Sequence, residues 1–184
     1  MKFLLAVTII TCAIACKQKT PKKVQPLVDN IVPVTYIDSI TYQYLNLKSA
    51  FLMDSIPLIN AASTALTALS DPNRMRFLTP SELMLAPMLA ALHLVVSDIP
   101  TKQNLKDKRK LFAATIEPLK AILQKVNNHK LYIQHCPMAT GITTDDNAYW
   151  LSTYNDNRIR NPFFPKTMLE CGDVTDTLQV IVSQ

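Results

Sequence analysis

Two short clusters of soft side chains lie in the C-terminal third of the chain. Leu131 to Gly141 reads LYIQHCPMATG, and Arg160 to Gly172 reads RNPFFPKTMLECG. Cys136 and Met138, with His135 beside them, belong to the first cluster; Met168 and Cys171 belong to the second. Thiolate and thioether sulfurs suit Cu(I) and other thiophilic ions, and no second Cys or His pair has the spacing of a structural zinc site. His135 is an optional member, because adjacent residues of an extended strand point to opposite faces. The same two cysteines are also the minimum for one disulfide in an oxidising compartment. Such a bridge would close a loop of about 35 residues and stabilise the fold by about 3–4 kcal/mol on the chain-entropy model. Metal pocket and bridge both stay open at this point, and they can be two redox states of one pair.

Other chemistry is poorly represented. His93, His129 and His135 are the only histidines, none stands in a nucleophile–base arrangement, and no glycine-rich phosphate loop occurs. Cys136 with His129 as base is the one conceivable nucleophilic pair. Asp145, Asp146 and Asp156 lie in polar sequence and read as solvated carboxylates. A non-catalytic protein is expected. Met84 and Met88 share a helical face, but His93 is turned well away from Met88, so this methionine stripe reads as core packing.

The 184 residues carry a formal net charge of +5, without a basic patch interleaved with aromatics, which argues against nucleic-acid binding. The length favours one domain, and two glycines against 12 prolines disfavour a β architecture rich in glycine turns. Residues 1–15 are expected to be a lipoprotein signal peptide: Lys2 starts it, Phe3 to Ile10 is its apolar run, and Ala13-Ile14-Ala15 puts small residues before Cys16. Cys16 would be the lipidation site. The apolar run is too short to span a bilayer, so acyl chains would provide the anchor. Residues 16–35, basic and proline-containing, read as a tether. The lack of an acidic run after Cys16 points to the periplasmic side of a cell-envelope membrane. Residues 36–184 would then form the folded domain.

The elements that position the clusters are read from periodicity. Ile40, Tyr44, Leu47 and Phe51 fall on one helical face, with Asp38 or Ser39 as cap. Ile59, Ala62, Leu66 and Leu69 repeat the stripe in a second helix with Pro57 in its first turn, and Asp71-Pro72-Asn73 is a turn. Thr79-Pro80-Ser81-Glu82 reads as a capped start of a third helix running to about Ser97, with a kink or late start at Pro87. Its Leu83 to Val96 run is too short to cross a membrane and is taken as the buried helix. Leu105, Phe112, Ile116, Leu119, Leu123 and Val126 continue the pattern to about Asn128, with Pro118 bending or splitting the helix. Lysines of this segment, Lys108 among them, are expected on the solvent side. The fold class is therefore mainly α: an antiparallel four- to five-helix bundle. A small C-terminal hairpin or sheet would join Leu131–Ile133 to Tyr149–Thr153 and Leu178–Val182. Pro137 is expected to hold the chain extended, Asn161-Pro162 to turn it, and Gly172 to give Cys171 a tight exit.

The Cys136-Pro137-Met138-Ala139 start, Trp150-Leu151-Ser152, Ile159 to Phe164 and Met168-Leu169-Glu170-Cys171-Gly172 resemble domain-of-unknown-function family 3347. Tyr44-Leu45, Leu47 to Ala50, and Arg109 with Phe112 add weaker matches, and the resemblance covers about Ile40 to Val174. It implies a helical envelope domain, found alone or attached to periplasmic adaptors of heavy-metal efflux systems. A role in copper or silver handling, Cu(I) or Ag(I) as ligand and an efflux adaptor as partner follow from it only by analogy. Pro165 stands where that family usually has glycine, so the path from Phe164 to Met168 is expected to differ.

Overall fold

The computed structural model describes residues 29, 31–78, 80, 82–139, 141, 148–155 and 158–181. Cys16, the expected signal peptide, most of the expected tether, Thr79, Ser81, Asp145, Asp146 and Asp156 lie outside them.

The first helix, α1 (Tyr36–Leu52), starts four residues before Ile40, the first position of its apolar stripe. Thr35 is the cap: its side chain accepts from the Asp38 N–H, and Asp38 accepts back from the Thr35 N–H, so Asp38 completes the box rather than opening it. The stripe of Ile40, Tyr44, Leu47 and Phe51 is fully buried. Asp54, at φ 51°, turns the chain into α2 (Ile56–Ser70). Ile59 and Leu66 are buried, while Ala62 and Leu69 pack at the margin. Asp71 Oδ1 accepts from the Asn73 N–H at 2.8 Å, making the expected turn, which leads into a 3-10 segment, Pro72–Phe77.

The third helix starts late. A 3-10 turn, Leu83–Leu85, precedes α3 (Ala86–Asp98), with Pro87 in the first turn where its missing N–H costs nothing. The expectation of a wholly buried helix needs correction. Leu89, Leu92 and Val96 face the core, but Leu83, Met84 and Leu94 are exposed. Together with its flanking 3-10 turns, Leu83–Thr101 is long and apolar enough to cross a membrane by length and composition, contrary to the shorter run read from sequence; 28% of that window is buried within the protein. Met84 is likewise not a core residue, whereas Met88 packs against the core.

Asn104 caps α4 (Leu105–Ala114) through its side-chain oxygen. Helix α5 (Ile116–Leu123) follows after a break at Thr115. The break lies N-terminal to Pro118 for a steric reason: the Pro118 ring would clash with the carbonyl four residues earlier, on Ala114. Lys108, expected in solvent, is fully buried and donates from Nζ to Asn60 Oδ1 at 2.7 Å and to the Ile99 carbonyl at 2.8 Å.

Among the described residues, three antiparallel strands complete the fold: β1 (Leu131–His135), β2 (Tyr149–Ser152) and β3 (Asp173–Leu178), in the order β2-β1-β3. The third strand lies earlier than the apolar run Leu178–Val182. Its alternation of Val174 and Leu178 with Thr and Asp is that of an edge strand, whereas Val180 and Ile181 are exposed beyond its end. The protein is thus mainly helical, with a small three-stranded sheet sharing the same core. An aromatic chain joins the two parts. Phe112 packs on Tyr44, Phe51 and Phe163 at ring-centroid distances of 5.4, 4.7 and 5.7 Å, and Phe163 meets Trp150 edge-on at 6.0 Å.

Candidate functional site

The central strand brings the two sulfur clusters together. His135 pairs with Asp173 across β1 and β3; continuing that register sets Cys136 opposite Gly172, one residue from Cys171. Cys136 and Cys171 form a disulfide with their Cα atoms 5.7 Å apart, within the range a bridge requires. Cys136 is 1% exposed, and its N–H donates to the Ala148 carbonyl at 3.3 Å, while the Cys171 N–H donates to the Met168 carbonyl at 3.1 Å. Both ends of the bridge are therefore held by backbone as well as by sulfur.

Gly172 follows Cys171 at φ +145°. A Cβ there would lie 2.8 Å from Trp150 Cη2 and 3.0 Å from the His135 carbonyl oxygen. The tight exit expected of this glycine is thus needed for two reasons, backbone conformation and the indole packed beneath it. Trp150 is fully buried and donates from Nε1 to Gln134 Oε1 at 2.7 Å, and Gln134 Nε2 donates to the Tyr154 carbonyl at 2.6 Å. Asn161 makes the expected turn. Its Oδ1 accepts from the Phe163 N–H at 2.8 Å, and its own N–H donates to the Leu169 carbonyl at 2.7 Å.

The remaining members of the soft-ligand set are placed differently. Met138 is 59% exposed. Pro137 does not extend the chain, as expected from sequence, but occupies a turn closed by the Ala139 N–H donating to the Cys136 carbonyl at 3.2 Å; proline's fixed φ suits the second position of such a turn. Pro165 begins a helical turn in which the Met168 N–H donates to the Phe164 carbonyl at 2.9 Å, and Met168 is half-buried. His135 stacks on Tyr149 with centroids 4.2 Å apart. With both thiols spent in their mutual bond, the oxidised Cys136–Cys171 pair offers no thiolate to a metal, so the four-sulfur set does not fit a copper-type ion in this state. Among the described residues no group of three or more His, Cys, Asp or Glu side chains could hold a metal ion. The Cys136–His129 nucleophile pairing is met by the same objection, and His129 Nε2 lies 3.2 Å from Asp38 Oδ1 instead.

A second polar cluster escaped sequence reasoning. Lys48, 2% exposed, is ion-paired with Asp29, 1% exposed, inside the core. Lys48 Nζ also donates to Ser152 Oγ at 3.2 Å, and Asp29 Oδ1 accepts from the Thr153 N–H at 2.7 Å and from Thr153 Oγ1 at 2.6 Å. Burial pulls the Lys48 ammonium below its ordinary range, and Asp29 opposes that. Nearby, burial pushes the Tyr44 phenol up, and its oxygen accepts from the Leu151 N–H at 3.2 Å. The Ser152 hydroxyl lies beside an amine, as an activated nucleophile would, but both groups are buried and Ser152 Oγ also accepts from the Tyr154 N–H at 3.1 Å. This cluster fastens Asp29, and with it the start of the described chain, onto α1 and β2; Ile31 is buried beside the core as well. One signal was available: Lys48 lies one turn beyond Tyr44 and beside Leu47, on the buried side of α1.

Arg109 fixes the second sulfur cluster to the helices. It pairs with Asp54 and donates from Nε to the Pro162 carbonyl at 3.1 Å. Comparison with known proteins finds no match for this chain among family models, curated proteins or solved structures.

Proposed function

We propose that the chain is a lipid-anchored, non-catalytic module of the bacterial cell envelope, with its helices arranged as an antiparallel bundle capped by the sheet. Its Cys136–Cys171 bond acts as a structural staple for the Trp150 loop. The bond carries this reading. Buried disulfides persist in oxidising compartments, and this one closes 35 residues around a fully buried tryptophan. The Ala13-Ile14-Ala15-Cys16 pattern supplies the anchor. Metabolic labelling with a fatty acid tests it: label is expected on the wild-type chain and absent from Cys16→Ser. Equal labelling of both, or of neither, contradicts the anchor.

A second reading rests on the gathering of both cysteines at one point. After reduction by a thiol reductant, the paired Cys136 and Cys171, with Met138, Met168 and His135 in the same clusters, would offer soft ligands to Cu(I) or Ag(I). The protein would then act beside a heavy-metal efflux adaptor, as the family resemblance implies. The reduced protein is expected to take up about one Cu(I) in competition with a chromophoric chelator, and Cys136→Ser to weaken uptake strongly. Tight stoichiometric binding by a Cys136→Ser/Cys171→Ser double variant would reject this reading.

A further inference from the structure

The two sulfurs of the Cys136–Cys171 bond have unequal surroundings. Cys136 is 1% exposed and belongs to the core, whereas Cys171 is only partly buried and packs at the core's margin. A thiolate opens a disulfide by attacking one of its sulfurs, and access helps to decide which one. The attack runs along the S–S line, from the side opposite the other sulfur. Cys136 presents almost no surface to such an approach; Cys171 does.

Each end of the bond is also held without it. Cys136 follows the central strand, where His135 is paired on both sides, with Tyr149 and with Asp173. Its N–H is bonded to the Ala148 carbonyl. Cys171 ends a loop closed by its own contacts: the Asn161 N–H donates to the Leu169 carbonyl, and the Cys171 N–H to the Met168 carbonyl. Phe163, 1% exposed, roots that loop in the core, Arg109 Nε holds the Pro162 carbonyl, and Gly172 fits over the Trp150 indole. Thiols released at these positions would stay close, on Cα atoms 5.7 Å apart. A pair so placed has a high effective concentration and closes again readily.

We propose that this bond is a reversible redox site, with Cys171 as the sulfur that exchanges with a dithiol co-reactant and Cys136 as the leaving group. The inference goes beyond the staple and supplies the step from which the second reading starts. One thiolate of the dithiol bonds to Cys171 Sγ as the Cys136–Cys171 bond breaks, and Cys136 departs with the electron pair. An anionic sulfur is costly in so buried a place, so Cys136 takes a proton. The second thiolate of the dithiol then attacks the dithiol's own sulfur in the mixed disulfide and releases Cys171, which is also protonated. The dithiol ends as a disulfide, two electrons poorer, and the two protons are those it gave up on ionising.

The test uses the full chain carrying Cys12→Ser and Cys16→Ser, which leaves Cys136 and Cys171 as its only cysteines. Brief exposure of the folded protein to glutathione, quenching with N-ethylmaleimide and peptide mapping locate the mixed disulfide. Glutathione is expected on Cys171 and maleimide on Cys136, in at least about tenfold excess over the reverse arrangement. Dithiothreitol without denaturant should open the bond with circular dichroism unchanged, and oxidised glutathione should close it again. Glutathione on Cys136 in equal or greater amount overturns the proposal. So does a bond that opens only in denaturant, or a domain that unfolds on reduction. Those three results leave the staple standing, whereas a chain that shows no Cys136–Cys171 link at the outset removes both.

Discussion

Lys48 and Asp29 form an ion pair shut away from solvent, joining the start of the described chain to the C-terminal half of α1. Removing one member strands the other charge in the core. Asp29→Ala is expected to destabilise the fold by about 3–5 kcal/mol, whereas an apolar replacement of both residues should recover most of the loss. Urea unfolding of the two variants checks this. A cost below about 1 kcal/mol for Asp29→Ala would mean that the carboxylate does not hold Lys48.

Gly172 cannot be replaced cheaply. Its positive φ and the indole 2.8 Å from the site of a Cβ act together, one on the backbone and one on packing. Gly172→Ala is expected to cost about 2–4 kcal/mol and to move Trp150, which tryptophan fluorescence would report. Wild-type stability with an unshifted emission maximum would contradict that packing.

Acid should weaken the fold through Asp38 and Asp54. For Asp38, burial alone would raise the pKa, but hydrogen bonds from Asn128 and Thr35 outweigh it and hold the carboxyl below its ordinary 3.8. At Asp54, burial is likewise outweighed by Lys166 and Arg109. Both folded-state values are depressed, so the stabilisation is complete above 3.8 and is lost as pH falls through the lower folded values. Melting temperature should therefore drop below about pH 4, and Asp54→Asn or Asp38→Asn should make that drop shallower. Identical acid limbs in wild type and both variants would remove these carboxylates from the account.

How far the sequence discloses this architecture depends on the kind of signal. Periodicity located α1, α2 and β1 because their buried positions are apolar at regular spacing. It misplaced β3, because an edge strand reading Asp-Val-Thr-Asp-Thr-Leu has few apolar positions and the more apolar Leu178-Gln-Val-Ile run draws attention instead. The outward face of α3 reads as core because composition cannot distinguish an apolar helix that is surrounded from one packed on a single side. Lys48, Lys108 and Asp29 were missed for the opposite reason: a charged residue carries a solvent expectation until its partner, remote in sequence, is known. The sulfur clusters were legible as residue types, and their meeting depended on a β1–β3 register that no local pattern encodes.

The state of Cys136 and Cys171 decides between a staple and a free dithiol. Peptide mapping of the folded protein, trapped with alkylating reagent in the absence of reductant, reads it directly. The account predicts one linked peptide joining Cys136 to Cys171, with both thiols alkylated only after reduction. Recovery of both cysteines singly alkylated from the unreduced, folded protein would contradict it.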